Sequence, residues 1–402
     1  MKENKLALLA LASIPLLMTL GNSMFIPVLP IIEKEINITA FQASLIITIY
    51  SIIAIILIPI AGYLSDHFGR KKVIIPSLIL VGAGGVISGW GAISSNNPYT
   101  WIMLGRLLQG AGAAGAFPVV IPTVGDLFKR EDEVSAGLGL IETSNTFGKV
   151  LSPILGALLA IWAWYIPFWS VPFLAVIAII LMLLFVKPPK ETNEPKPFAE
   201  FLKVLKQIFA KNGRWLYGVF IIGGFNMFVV FGFLIYLSSS LETRFDITGV
   251  MKGIYLAVPL LMLCVASYIT GKRVGNDKRS MDRWILIGNL ISTGALCTLL
   301  FMNSLGMIIL FLSVSGIGIG IGLPCLDTLI TEGIEKEERG TITSFYSSMR
   351  FIGVAAGPPV VSLLQKSSDN LVFLTLSSVC LLAVTVTLFT LQHKPGALGE
   401  QM

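Results

Sequence analysis

An all-α membrane protein of twelve transmembrane helices, set as two pseudo-symmetric six-helix bundles, is the fold this 402-residue chain predicts. Three observations predict it. Apolar residues make up 54% of the chain and charged residues only 13%, with a strongly positive mean hydropathy. Such a composition suits a bilayer and not water. Twelve apolar runs reach the roughly 20 residues that cross a hydrocarbon core of ~30 Å. The chain also repeats itself at an offset near 206 residues.

The spans are expected near 6–32, 41–65, 73–94, 100–125, 135–160, 164–187, 215–240, 250–271, 284–303, 306–331, 341–365 and 370–392. The first lies behind Lys2 and Lys5, as a signal peptide would. It runs past Pro30 without a small-residue cleavage site, so it reads as a helix that stays. The sixth stops at Lys187-Pro188-Pro189-Lys190, because proline lacks the amide hydrogen a helix needs. From Pro197 onward Phe198, Phe201, Leu202, Leu205, Ile208 and Phe209 recur at helical spacing between lysines. That pattern suggests an amphipathic helix lying on the inner membrane surface, or a tether between halves. The expected division is therefore 1–187 for the first bundle, 188–213 for a cytoplasmic linker and 214–402 for the second bundle.

The formal charge of +6 concerns orientation. Most of the 29 basic residues fall in segments that share one side of the membrane, while Lys34, Arg244, Lys252 and Lys366 fall on the other. Cytoplasmic loops collect Lys and Arg, so both termini are expected inside. Nucleic acid is not an expected partner. Cys264, Cys297, Cys325 and Cys380 have no paired spacing, and His67 and His393 form no cluster. No metal, cofactor or enzymatic nucleophile is predicted.

The repeat is visible residue by residue. Gly110-Ala111-Gly112-Ala113-Ala114-Gly115-Ala116-Phe117-Pro118 matches Gly316-Ile317-Gly318-Ile319-Gly320-Ile321-Gly322-Leu323-Pro324, and at the same offset Asp126 meets Glu332. Gly21-Asn22-Ser23-Met24-Phe25 resembles Gly224-Phe225-Asn226-Met227-Phe228, and Ser152-Pro153 lines up with Gly357-Pro358. A parallel repeat of this kind places a binding site at the interface of the halves, near the midplane.

Between spans two and three the chain reads Gly62-Tyr63-Leu64-Ser65-Asp66-His67-Phe68-Gly69-Arg70-Lys71-Lys72. Gly62 and Gly69 allow close approach and a tight turn. Asp66 is placed to cap a neighbouring helix and Arg70 to pair with Asp126, which would latch the inner side in one conformation. This loop resembles that of major facilitator superfamily transporters, of the twelve-span drug:proton antiporter type found in bacterial efflux. The second-half counterpart, Gly271 to Arg279, has no acid at the Asp66 position, which puts the gating weight on the first copy.

The resemblance extends to Arg106-Leu107-Leu108-Gln109-Gly110 in span four, where it implies a buried arginine linked to proton coupling. Independently, a cation inside a span is costly and normally faces the protein interior with a partner. Span five carries Gly148, Ser152, Pro153 and Gly156, similar to the antiporter motif of exporters, with Ser152 in place of the usual second glycine. Small residues at this spacing allow two helices to approach closely. Pro27-Val28-Leu29-Pro30 resembles the Pro-x-x-Pro element of drug exporters.

Glu142 and Lys149 lie two turns apart on one face of span five, with Asn145, Thr146 and Ser152 on the same stripe. Glu142 is the first-half candidate for carrying a proton, with a fixed ion pair to Lys149 as the structural alternative. Asp327 in span ten is the natural opposite charge for Arg350 in span eleven. Asn22 and Asn226 are further cavity candidates, as are Phe25, Phe225, Phe228 and Tyr236. Arg106, Lys149 and Arg350 outnumber Glu142 and Asp327 by one, and span one offers Asn22 where exporters of cations usually show a carboxylate. The balance leans toward a neutral or anionic substrate.

The resemblance implies a proton-coupled antiporter exporting drugs or other amphipathic compounds by alternating access, a monomer in the bacterial cytoplasmic membrane. A dedicated exporter of an endogenous anionic product such as a siderophore is the alternative within transport. A transporter-derived sensor without transport is the alternative of another class.

Overall fold

The computed structural model describes residues 2–128, 131–186, 198–273, 278–334 and 336–391. Thirteen α-helices fill these stretches: α1 (Lys2–Ser23), α2 (Leu29–Glu35), α3 (Ala40–Phe68), α4 (Arg70–Ser94), α5 (Pro98–Leu127), α6 (Glu131–Ala160), α7 (Ile166–Phe185), α8 (Phe198–Thr243), α9 (Gly249–Arg273), α10 (Lys278–Thr298), α11 (Leu305–Gly333), α12 (Lys336–Gln365) and α13 (Asp369–Thr390). No strand occurs among the described residues.

Local chemistry explains the boundaries. The first span is shorter than expected, because the chain leaves the helix after Ser23, turns, and restarts as α2 at Leu29. Pro27 and Pro30 remove the amide hydrogens that would have carried α1 onward. A reciprocal capping box opens α3: the Gln42 amide donates to Thr39 Oγ1 at 3.2 Å, and the Thr39 amide donates to Gln42 Oε1 at 2.9 Å. Gly69, at φ 96, turns the chain between α3 and α4 in a region that suits only glycine. In α8 the backbone breaks at Gly213, with φ 55 and ψ −137, separating a leading helical stretch from the span behind it. Much of the expected linker, 188–197, lies outside the described residues, and so do the side chains of most of 198–212.

Among the described residues, eleven helices are long and apolar enough to cross a membrane. The expected count of twelve is not met on that measure, because α6 falls short of it. The reason is physical: α6 carries Glu142, Asn145, Lys149 and Ser152 along its 30 residues, so its apolar content is diluted.

In the first half α4 packs on α5 and α7, α5 on α3, and α1 on α6 and α7. In the second, α10 packs on α11 and α13, α11 on α9, and α8 on α12 and α13. The two bundles meet along α3 with α12 and α6 with α9. The matching glycine runs do matching work. A Cβ at Gly110 would strike the Tyr50 carbonyl of α3, and one at Gly112 the Ser77 carbonyl of α4. In the repeat, Gly316 lies against the Pro259 carbonyl of α9 and Gly318 against the Gly288 carbonyl of α10. Small residues thus set the helix spacing in both bundles. The start of α1 and the 62–72 loop share one face of the molecule, here the motif face; α2 and the α8–α9 turn lie on the distal face.

Candidate substrate cavity and its surroundings

Arg106 is fully buried, at 0% exposure. Its Nε donates to the Ile46 carbonyl at 2.9 Å, and Nη1 to the Gly21 carbonyl at 2.7 Å and Gln109 Oε1 at 2.6 Å. Nη2 donates to Asn22 Oδ1 at 2.6 Å. Gly21 sits in the last turn of α1, where carbonyls lose their intrahelical partners and the helix end is negative. Arg106 therefore caps α1 from a neighbouring helix. Phe25 and Tyr50 stand within cation–π distance, their centroids 4.9 and 4.6 Å from the guanidinium carbon. Every one of these partners is neutral.

Beside this cap lies a cavity of about 90 Å³ between the bundles. Asn22, Asn145 and Lys149 line it from the first half, and Ser347 and Arg350 from the second. Phe117, Phe231 and Phe351 supply much of the apolar wall. Among the described residues two cations line it, and no carboxylate does.

The acids stand just behind. Thr19 Oγ1 donates to Asn145 Oδ1 at 2.6 Å, and Asn145 Nδ2 lies 3.3 and 3.4 Å from the two Glu142 oxygens. Thr146 Oγ1 donates to Glu142 at 3.4 Å. Glu142 and Lys149 form no ion pair among the described residues, so Glu142 is held by neutral donors. In the second half Arg350 Nη1 is 3.6 Å from Asp327 Oδ1, whose side chain is 32% exposed. The Cys264 thiol of α9 donates to the Thr146 carbonyl of α6 at 3.4 Å, which joins the halves at this level.

Asn226 is placed differently from Asn22. It is buried facing Gly322 of α11, and Met227 lines the cavity instead. The register explains the difference. Gly148 of α6 packs on Thr19, and Gly353 of α12 packs on Gly224, both pairs 205 apart, which puts Met227 opposite Asn22.

Of the span-five motif, Gly148 packs on Thr19, and Ser152 Oγ donates to the Gly148 carbonyl at 2.6 Å and the Thr19 carbonyl at 3.3 Å. A Cβ at Gly156 would strike the Met24 carbonyl. Across the halves, a Cβ at Gly253 would come within 2.5 Å of the Pro153 carbonyl. The motif is thus the surface on which α6 meets α1 and α9.

On the motif face Arg70 Nε is 3.1 Å from Asp126 Oδ2, and Arg70 Nη1 donates to Ser65 Oγ at 2.7 Å. Lys71 Nζ donates to the Val186 and Leu183 carbonyls at 2.6 and 3.3 Å, closing the end of α7. Gly62 approaches Ser344 of α12, where an added Cβ would sit 3.5 Å from Ser344 Oγ. The Asp66 side chain lies outside the described residues.

Sequence reasoning missed a charge cluster on the distal face. Lys252, counted among outer-loop cations, is buried in the first turn of α9 with Glu242 as its partner. A lysine inside an expected span was the available signal.

This architecture, twin bundles around a charged central cavity, is that of a membrane transporter. The Major Facilitator Superfamily model matches residues 11–358 and 276–401, and the chain belongs to that superfamily. It is 53% identical over 388 residues to the bacillibactin exporter of Bacillus subtilis (strain 168), covering 96% of each chain. It is 25% identical over 386 residues to the class C tetracycline resistance protein of Escherichia coli, covering 92% of each. Among solved structures, the human organic anion transporter TETRAN superposes with a TM-score of 0.75 at 18% identity, over 96% of this chain and 99% of that one. A bacterial homologue of the human lysosomal transporter Spinster, in an inward-facing unoccupied conformation, gives 0.74 at 16% identity, over 98% and 99%. Both structural likenesses concern the fold.

Proposed function

We propose that this protein exports an anionic, amphipathic product of its own cell, of the siderophore class, by alternating access driven by inward proton flow. One observation carries the reading: Lys149 and Arg350 reach a single cavity from opposite bundles, and no carboxylate among the described residues lines it. An anion bound there is attracted to both bundles at once, which couples occupancy to their relative position. Similarity to a bacillibactin exporter over nearly the whole chain supports the same choice. At about 90 Å³ the cavity is far below the roughly 300–1,000 Å³ of a pocket that holds a drug-sized ligand. A product of siderophore size therefore requires the bundles to rock apart before it enters.

Glu142 and Asp327 are the proposed proton carriers. Each stands beside the cationic lining, so protonation changes the charge that the substrate meets. The proposed orientation puts both termini and the motif face in the cytoplasm of a bacterial cell, with residues 188–213 linking bundles 1–187 and 214–402. Multidrug export is the second reading, favoured by the aromatic and methionine surfaces of the cavity, which adapt to varied shapes.

The test is substrate-evoked proton movement in proteoliposomes, offering bacillibactin and other catechol-type anionic chelators, then neutral antibiotics, then cationic dyes. Movement with the anionic chelators alone supports the dedicated exporter. Movement with many unrelated compounds, cations foremost, overturns the charge argument in favour of multidrug export. A protein that binds the chelator yet moves neither it nor protons is a sensor, and export is then refuted.

A further inference from the structure

On the distal face α8 presents Ser238 and Glu242 one helical turn apart, hence on one side of the helix. Both reach across to the first bundle. Ser238 Oγ donates to the Ile26 carbonyl at 2.7 Å, and Glu242 Oε1 accepts from Lys34 Nζ at 2.6 Å. We infer that these two rungs form a clasp that holds the distal side of the exporter shut, and that Pro30 exists to make the lower rung possible.

The lower rung depends on a carbonyl that an ordinary helix would not leave free. Ile26 oxygen would accept from the amide four residues on, which is Pro30, and proline has no amide hydrogen. Two nearby carbonyls are consumed: Phe25 oxygen accepts from the amides of Val28 and Leu29, and Val28 oxygen from those of Ile31 and Ile32. Ile26 is left facing α8, and Ser238 takes it.

The upper rung is built to open. Glu242 is buried, its side chain 5% exposed, and its second oxygen accepts from Lys252 Nζ at 2.9 Å. Lys252 is 2% exposed and belongs to the same bundle as Glu242, so that pair travels together. A tight turn sets them side by side, with Asp246 and Gly249 both at positive φ and the Ile247 amide bonded to the Leu241 carbonyl at 2.7 Å. Lys34, 68% exposed, comes from the other bundle. When the bundles part, Lys34 moves into water and Glu242 keeps Lys252. No buried carboxylate is stranded, which is the usual large cost of breaking a buried pair. The clasp therefore closes firmly and releases cheaply, as a gate that cycles must.

The clasp would hold the distal side whatever compound the protein carries. A test places a single reporter, Ser239→Cys, in the distal vestibule that Ser239 lines, in the full-length protein in lipid nanodiscs, where both faces meet the reagent. The rate of reaction with a charged maleimide reads distal opening, with the parent chain subtracted for its native cysteines. Lys34→Ala should raise that rate about two- to fivefold, as expected when an ion pair with one exposed member is lost. Pro30→Ala, which restores a competing amide, and Ser238→Ala should each raise it too. Lys34→Arg should leave it unchanged, and Lys34→Glu, which sets like charges against each other at the rung, should raise it at least as much as Lys34→Ala. Because Lys34 is mostly exposed, its alanine variant should fold even if Glu242→Gln does not. An unchanged rate in both Lys34→Ala and Pro30→Ala overturns the clasp.

Discussion

Arg106 on α5 caps the end of α1 through Asn22, Nη2 donating to Oδ1 at 2.6 Å, while the neighbouring Nη1 takes the Gly21 carbonyl. A cation in mid-bundle is thus balanced by a helix end and amide oxygens, without a carboxylate. The arrangement satisfies the end of α1, immediately beside the cavity that Asn22 lines.

Arg106→Ala should therefore fail as a structural lesion. It strands the Gly21 carbonyl, Asn22 and Gln109 in a buried site, each worth about 1–3 kcal/mol when left unpaired. Arg106→Lys keeps the charge but cannot reproduce the fork of donors. We expect the alanine variant to lose most folded protein in detergent melting curves, and the lysine variant to fold with a lowered melting temperature. An alanine variant as stable as the parent would refute the cap.

Lys149→Gln and Arg350→Gln should each weaken binding of an anionic substrate about tenfold or more, corresponding to ~1.4 kcal/mol or above for one lost charge contact. Removing Arg350 also takes from Asp327 the cation 3.6 Å away. Arg350→Gln should accordingly cost more than Lys149→Gln, and adding Asp327→Asn should recover part of the difference. Titrations with the chelator and with a cationic dye provide the check, and losses common to both ligands would point to misfolding.

Much of this organisation was legible in the sequence. Hydropathy locates the spans because lipid demands long apolar runs, and the glycine repeat marks the tight crossings because close helices exclude a Cβ. The loop at Gly62 to Lys72 and the partner of Arg70 were likewise readable. Less local features were not. Nothing in Lys34, Glu242 or Lys252 shows that two bundles bring them together, because that meeting depends on tertiary placement. Asn226 looked like Asn22 by its neighbours, yet helical register set by Gly353 and Gly224 turns it toward Gly322. The polarity that made α6 interesting also removed it from the helices apolar enough to span.

The motif-face pair should behave as a unit. Arg70→Ala and Asp126→Asn both remove the 3.1 Å bridge, but Arg70 also donates to Ser65. Export should fall in both, more in Arg70→Ala, and the double variant should be no worse than Arg70→Ala alone. Strict additivity of the two losses in a transport assay would show that they act separately.

Gly156→Ala should destabilise the protein by about 1–3 kcal/mol, because the new methyl meets the Met24 backbone, which cannot rotate away. Gly294 of α10 is the control: a Cβ there meets nothing within 4 Å, and replacing helical glycine gains about 0.5–1 kcal/mol of backbone entropy. Thermal unfolding in one detergent compares them directly. Equal melting temperatures would show that α6 can back away from α1.

The distal clasp should be insensitive to alkaline pH well beyond neutrality. The Glu242 hydrogen bond, aided by the charges of Glu242, Glu33 and Asp246 and opposed by slight burial, holds the Lys34 ammonium above the ordinary lysine range. A lysine whose pKa is raised contributes closure that is complete below its ordinary value of about 10.4 and is lost as pH rises through the raised value. From neutrality to about pH 9, then, the Ser239→Cys labelling rate, normalised to a free peptide thiol at each pH, should stay flat in the parent and in Lys34→Arg. Lys34→His brings the switch into the physiological range, since an unperturbed imidazole titrates near 6.5. That variant should be closed in mild acid and labelled faster as pH passes neutrality. A flat profile in Lys34→His would mean that the charge at position 34 does not hold the distal side.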